Sequence, residues 1–411
     1  MSNPLQLAFV NFSQNAYIIV EGKEKADNFY IIRSGKVRIS KETEVVEEEG
    51  GNTLGPGDFF GVVSTMSGHS HIETAQAVTD VSLISVHRDQ YSMLIEKNTP
   101  VAMKIIEGFS RRMRYLDEAL AQLTFKNNTT ELDTTHLYYV GEYYARQKQY
   151  NQAFFSYYHY LKHNPQGREA GKAKERLAKL KPYANAVHLD GNETEFTRTY
   201  PKDTMVFAET MPGRELYIIQ KGSVKITKIV NDNEVLLAVL KAGDIFGEMS
   251  LIENKPRSAS AIAYEDAVLL AVNKENFARM VSTQPQIIAR LTTLLAERIW
   301  FIYKQLANTL LTDKVGRLYD ALLIQLEKAR VTIRPGESYT FDFGIKELIN
   351  MVGLPMAEGN QHMRELLKNS KIKAVDNKLH TTDLEEIQKQ AHYYRKMQRI
   401  ERSRREQRLK R

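Results

Sequence analysis

Apolar residues in this chain follow two rhythms. Near the N-terminus and again from about residue 197, short β-branched runs are separated by glycine turns, as in Tyr217 to Ile219, Gly222, then Val224 to Ile226. That pattern predicts antiparallel strands rolled around a core. After each set the apolar period lengthens to three and four, which predicts helical stretches over Asp89 to Leu123 and Lys274 to Leu311. From Pro285 onward Ile288, Leu291, Leu295, Ile299, Ile302, Leu306 and Leu310 form one apolar stripe long enough to require a covering surface. Residues 131 to about 182 lose the strand pattern and become rich in Tyr, Ala, Lys and Gln at helical spacing.

The two strand-rich stretches are copies of each other. Tyr30-Ile-Ile-Arg-Ser-Gly-Lys-Val-Arg-Ile39 returns as Tyr217-Ile-Ile-Gln-Lys-Gly-Ser-Val-Lys-Ile226, and Gly57-Asp-Phe-Phe-Gly61 as Gly243-Asp-Ile-Phe-Gly247. An internal repeat of this length is the organising fact of the chain. At 411 residues and 42% hydrophobic content there is room for two to four domains, each with its own core.

Composition removes several chemistries. With no cysteine, disulfides, thiolate metal sites, cysteine nucleophiles and thiol redox switches are excluded. Neither a Walker-type loop, a nucleophile elbow nor a cluster of metal-ligating histidines and carboxylates is present, so the expectation is a protein that is not an enzyme and holds no metal. No run reaches the roughly 20 apolar residues of a membrane span, and Met1-Ser-Asn-Pro-Leu lacks the layout of a secretory signal. A cytoplasmic protein without membrane partners is expected. The net charge of +7 resides in residues 392 to 411, where nine Lys or Arg stand against Glu401 and Glu406. Such a tail suits phosphate neutralisation.

One motif carries the specific chemistry. Phe246-Gly-Glu-Met-Ser-Leu-Ile-Glu-Asn-Lys-Pro-Arg-Ser-Ala-Ser-Ala261 resembles the phosphate-binding cassette of the cyclic-nucleotide-binding domain family. Gly247 lets backbone approach a ligand, a short helix starting there offers its N–H groups to an anion, and Arg257 supplies a forked donor for phosphate oxygens. The resemblance implies that Glu248 accepts the ribose 2′-hydroxyl and that Ser258 donates beside the phosphate. Met249 and Ser250 on the short helix and the small Ala259 complete the expected binding set, with Tyr303 of the following long helix as the base contact. Ile302 and Tyr303 depart from the hydroxyl pair the family uses there, so the base is not read from them. Cyclic AMP is the expected ligand and cyclic GMP the alternative.

In the first copy Val62 stands at the position of Glu248 and Glu73 at that of Arg257. A carboxylate facing a phosphate opposes binding by about 4 kcal/mol at about 4 Å near a surface, or about a thousand-fold in affinity. Nucleotide is therefore expected in the second copy only. His69 and His71 in the intervening loop read as exposed and without function.

The C-terminal third extends the resemblance to the cyclic AMP receptor (Crp/Fnr) family of transcription regulators, in which the long helix pairs two copies of the chain. A homodimer is thus expected, with burial of the stripe inside one chain as the alternative. Arg317-Leu-Tyr-Asp-Ala-Leu-Leu323 resembles the helix that follows. Phe341 to Pro355 and Met356 to Leu367 read as helix, turn, helix with Gly353 at the turn, and Ile372 to Val375, Asp376-Asn377 and Lys378 to His380 as a wing. Met356 and Gln361 replace the family's guanine-reading arginines, and Gly359 weakens the second helix. Asn360, Gln361, His362, Arg364 and Lys368 remain as candidate DNA contacts. Leu137, Val140, Gly141, Tyr144, Ala153, Tyr157, Tyr160 and Pro165 fall at tetratricopeptide-like spacings.

The fold class expected is therefore α+β and multidomain. A degenerate cyclic-nucleotide-binding-like β-roll (1–127) precedes a helical hairpin (131–182), and a cyclic-nucleotide-binding β-roll with its long dimerisation-type helix (188–311) follows. A winged helix-turn-helix (312–387) and a basic tail (388–411) complete the chain. The function implied is a cyclic-nucleotide-responsive regulator that binds DNA. The alternative is a signalling adaptor whose winged domain is degenerate and whose residues 131 to 182 hold a protein partner.

Overall fold

Glycine turns and proline starts set the element boundaries of this protein. Its computed structural model describes residues 7–22, 26–41, 52–125, 135–190, 195–230 and 233–409. Met1 to Leu5, the expected start of the middle segment at residue 131, and Lys410 and Arg411 of the tail lie outside them. The chain divides into two units, one containing residues 89–115 and 127–295, the other 6–88, 116–126 and 296–411.

In the first unit eight strands form two four-stranded antiparallel sheets. One has the order Ile245–Phe246, Glu215–Lys221, Ala267–Asn273, Thr197–Tyr200, the other Met205–Phe207, Ser260–Ala263, Ser223–Val230, Asn233–Lys241. Val224 pairs with Ala263 and Ile226 with Ala261, and these inward residues are buried with Leu269 and Ala271. Apolar residues at alternate positions thus share one inner face, as the pleat requires. Between Phe246 and the next strand lies the six-residue helix Glu248–Glu253.

The same core continues into the middle segment, which holds three helices, His136–Arg146, Tyr150–His163 and Ala170–Leu180, against the hairpin of two expected from sequence. Gly141 lies against Tyr157, where a Cβ would come within 2.7 Å of the ring. The Tyr144 hydroxyl lies 3.4 Å from Thr227 Oγ1 and donates to Glu234 Oε1 at 3.1 Å. The helices are therefore seated on the roll by buried hydroxyls as well as apolar area.

The second unit repeats the roll. Its sheets run Ala8–Phe12, Val81–His87, Asn28–Ser34, Phe59–Phe60 and Tyr17–Ile19, Thr74–Ala77, Val37–Ser40, Thr53–Leu54. After each roll the expected helical stretch is two helices: Tyr91–Lys97 then Thr99–Phe125, and Lys274–Thr283 then Pro285–Thr309. Gln284 leaves the helical region immediately before Pro285, because proline disfavours a helical predecessor yet suits a first helical position. The stripe residues Ile288, Leu291, Leu295, Ile299, Ile302 and Leu306 are all buried within one chain. Leu310, the last residue of the stripe, is half-buried.

The rest of the second unit has its own core. Helix Lys314–Lys328 starts at Asp313, whose carboxylate accepts the Gly316 N–H at 2.7 Å, a side-chain cap. Helices Ile345–Met351 and Met356–Leu366 follow, then a hairpin of Ile372–Val375 and Lys378–Thr381 joined by Asp376 and Asn377, both left-handed. Helix Leu384–Leu409 closes the chain. Gly359 is a correction to the sequence reading: it is buried, and a Cβ there would lie 2.3 Å from Ile349 Cγ2. The missing side chain lets the two helices meet. No helix among the described residues is long and apolar enough to cross a membrane.

Candidate functional site

The second roll builds its site at the start of helix Glu248–Glu253. Gly247 caps that helix at φ 75°, a conformation cheap only for glycine. Its position is doubly constrained, since a Cβ would lie 2.6 Å from Arg257 Nη1. Glu248, 1% exposed, sits in the first turn, where a carboxylate is favoured by the unpaired N–H groups of the helix start.

Arg257 is only 4% exposed. Its Nη1 donates to Gly247 O at 2.7 Å and Ser250 Oγ at 2.6 Å, and its Nη2 to Glu215 O at 2.8 Å. The guanidinium lies 4.0 Å above the Phe207 ring. Burial pulls its pKa below the usual guanidinium range, with Tyr217, Glu215 and Glu248 opposing. Glu215 is itself gripped by Arg198, which donates from Nη1 to Oε2 and from Nη2 to Oε1, both at 2.8 Å. The Arg257 Nε–H is buried and has no hydrogen-bond partner among the described residues. A buried donor left in that condition costs about 1–3 kcal/mol, and an anionic oxygen removes the cost. The donor set thus fits a phosphate group.

The other members of the expected set are close by. Ser250 donates to Gly247 O at 3.1 Å, Ser258 Oγ is 3.9 Å from Met249 Sδ, and Met249 and Ala259 are buried. Two contributors were missed in the sequence. Phe207 underlies the guanidinium, and Gly213 passes so close that a Cβ would fall 2.0 Å from Ser250 Oγ and 2.8 Å from Arg257 Nε. Gly213 sits in a Met-Pro-Gly-Arg turn, and a turn motif alone does not tell what the turn lies against.

Tyr303 belongs to the second unit: its hydroxyl donates to Glu21 Oε1 at 3.4 Å and Lys41 Nζ lies 5.5 Å over its ring. Ile302 is buried in the same unit. In the first roll Glu73 is buried and accepts the Gly61 N–H at 2.9 Å, while Val62 is buried at the head of helix Val62–Ser67. A carboxylate of the chain thus takes the N–H at the start of that helix. His69, read as exposed from sequence, instead stacks on Trp300 at 3.9 Å, and burial, then the Arg330 charge, lowers its pKa to about 4. His71 is buried. Both corrections have one cause: the loop carrying these histidines is packed over rather than left to solvent.

In the C-terminal part Asn360, Gln361, Arg364 and Lys368 are exposed; the first three share one face of helix Met356–Leu366 and Lys368 lies in the turn after it. His362 is half-buried beside Glu358, with its Nε2 4.0 Å from the carboxylate and its Nδ1 without a partner. In the tail helix Arg395 donates to Asp320 Oδ1 at 2.5 Å and Gln398 to Leu310 O at 2.9 Å. Its first half is therefore part of the domain.

Comparison with known proteins identifies both rolls. The cyclic nucleotide-binding domain model matches residues 9–98 and 197–284. The chain is 29% identical over 194 residues to the CRP-like cAMP-activated global transcriptional regulator of Mycobacterium tuberculosis, covering 47% of this chain and 86% of that protein. It is 37% identical over 103 residues to the cyclic AMP receptor protein of Thermus thermophilus, covering 25% and 48%. A cAMP-dependent protein kinase regulatory subunit of Pyricularia oryzae is 24% identical over 273 residues, covering 66% and 55%.

Proposed function

We propose that this chain is a cyclic-nucleotide-responsive regulator that binds DNA, of the cyclic AMP receptor (Crp/Fnr) type, with nucleotide held in the second roll. The observation that carries the reading is the buried Arg257 with its unpartnered Nε beside a helix that starts at Gly247. Cyclic AMP is the ligand proposed. The phosphate is held by Arg257 and the N–H groups at the helix start, with Ser258 beside them, and the ribose hydroxyl by Glu248. Met249, Ser250 and Ala259 line the cassette. The first roll is proposed to take no nucleotide, because Glu73 brings a negative charge to the place of Arg257 and engages Gly61 itself. Asn360, Gln361, Arg364 and Lys368 are the proposed DNA contacts of a winged helix-turn-helix, with His362 at the edge of that face.

Calorimetric titration of the full chain with cyclic AMP and cyclic GMP tests this. One site per chain, lost in Arg257→Ala while the melting transition remains cooperative, is the expected outcome. Absence of binding by either nucleotide defeats the reading. A second reading, a signalling adaptor, is supported by the similarity to a kinase regulatory subunit over 66% of the chain and by the exposed Tyr139 and Tyr183 of the middle segment. A sequence-specific DNA footprint favours the regulator. Co-purification of one protein through residues 131 to 182 favours the adaptor.

A further inference from the structure

We infer that Ser110 and Arg114, on the helix that leaves the first roll, form a latch on the second roll's cassette and carry its occupancy into that helix. The inference rests on the reading of the second roll as a nucleotide site. Helix Glu248–Glu253 ends at Glu253, whose carboxylate is received by helix Thr99–Phe125 within the same unit: Ser110 Oγ donates to Glu253 Oε1 at 2.8 Å and Arg114 Nε to Oε2 at 2.9 Å. Arg114 Nη1 also donates to Pro256 O at 3.1 Å. The ion-paired side chains are 7% and 4% exposed, and Ser110 is fully buried. Lys255, more than half exposed, adds a second cation 3.5 Å from Glu253 Oε2.

Placement gives this latch its meaning. Pro256 directly precedes Arg257, so Arg114 holds the peptide that leads into the phosphate-binding residue as well as the end of the helix that starts at Gly247. Asn254, between the two gripped points, is the left-handed C-cap of the helix at φ 53°, and only two residues, Asn254 and Lys255, separate Glu253 from Pro256. Movement of Arg257 toward a phosphate displaces Pro256 O and Glu253 relative to Arg114. Ser110 and Arg114 lie four residues apart on one helix face, so the helix feels both displacements together. Apolar residues fill such a contact at lower desolvation cost than a buried ion pair. A charge pair there fixes one geometry, as a coupling between two states requires. Arg114 is thus a positioning residue for the cassette, supplied by the part of the chain whose own cassette carries Glu73 in place of arginine.

Hydrogen–deuterium exchange on the full chain tests the latch with and without ligand. Without nucleotide, Arg114→Met is expected to speed exchange in residues 248–258, and Glu253→Gln to speed it in residues 105–115, each several-fold. The double variant Arg114→Met with Glu253→Leu, which leaves no buried unpaired charge, guards against misfolding. With cyclic AMP, wild type is expected to gain protection at both 248–258 and 105–115, and the double variant at 248–258 alone. Protection of the cassette with residues 105–115 unchanged in wild type overturns the latch and leaves the nucleotide reading standing. No protection of the cassette by cyclic AMP or cyclic GMP overturns the nucleotide reading. In that case the exchange of the ligand-free variants still decides whether cassette and helix are coupled, and variants that each loosen only their own segment refute the latch.

Discussion

On the proposed function, Arg257 serves fold and ligand together. Two carbonyls, a hydroxyl and an aromatic face hold its fork in place before any phosphate arrives, which lowers the ordering cost of binding. Arg257 and Glu248 stand out in the sequence because the motif fixes residue type and spacing at once. Gly213 does not, because its contribution is the absence of atoms beside Ser250 and Arg257 in space. Gly213→Ala puts a methyl 2.0 Å from Ser250 Oγ and must move the cassette. Nucleotide affinity is expected to fall at least about ten-fold, or about 1.4 kcal/mol, in calorimetry. Gly171→Ala, where a Cβ meets nothing within 4 Å, is the control expected to leave affinity unchanged. Equal affinities in the two variants count against close packing of loop and cassette.

At the scale of elements, periodicity located the strands and long helices but not how they meet. The extra helix Ala170–Leu180 was missed because three Lys, an Arg and a Glu interrupt its apolar pattern and only Ala170, Ala173 and Leu180 are buried. Gly359 was misjudged because propensity counts its helical cost while the structure uses its lack of bulk against Ile349. Gly359→Ala, a propensity gain on paper, is therefore expected to destabilise the C-terminal part by about 1–3 kcal/mol through overpacking, seen as a lower melting temperature. A higher one rejects the packing argument.

The middle helices make a pH prediction. His159 is buried against Phe155 with neither ring nitrogen hydrogen-bonded. Burial, then the charges of His163 and Lys162, lowers its pKa from 6.5 to about 3. Between those values the unfolded chain binds the proton that the folded chain refuses, so stability is full above about pH 6.5 and declines as pH falls toward 3. About 2 kcal/mol is expected to be lost between pH 7 and pH 5 from this residue. His69, lowered to about 4, acts in the same direction. Melting temperatures of wild type and His159→Phe across that range test the assignment. Parallel curves reject it.

For the whole molecule, the question is whether charge placed at one end serves DNA. The sequence showed that the net charge resides after residue 392. It did not show that Arg395 pairs with Asp320 and Gln398 caps Leu310, because those partners are some 75 and 88 residues away in sequence. Ile387 and Ala391 are fully buried, so the tail helix closes the core of its domain before it becomes a basic extension. Truncation after Gln398 is therefore expected to lower the melting temperature far less than truncation before Leu384, which unfolds the C-terminal part. The shorter deletion removes seven Lys or Arg and two Glu. Each lost phosphate contact lowers the slope of log affinity against log salt by about 0.9. The truncated protein is expected to bind DNA more weakly at low salt, with a shallower salt dependence and an unchanged footprint, since Asn360, Gln361 and Arg364 remain on their helix and Lys368 in the turn after it. Fluorescence anisotropy with labelled duplexes at graded salt, in the presence of cyclic AMP, measures both quantities. An unchanged slope shows that the extension does not lie on phosphate. A footprint lost with the extension transfers the specificity to it and away from the helix Met356–Leu366.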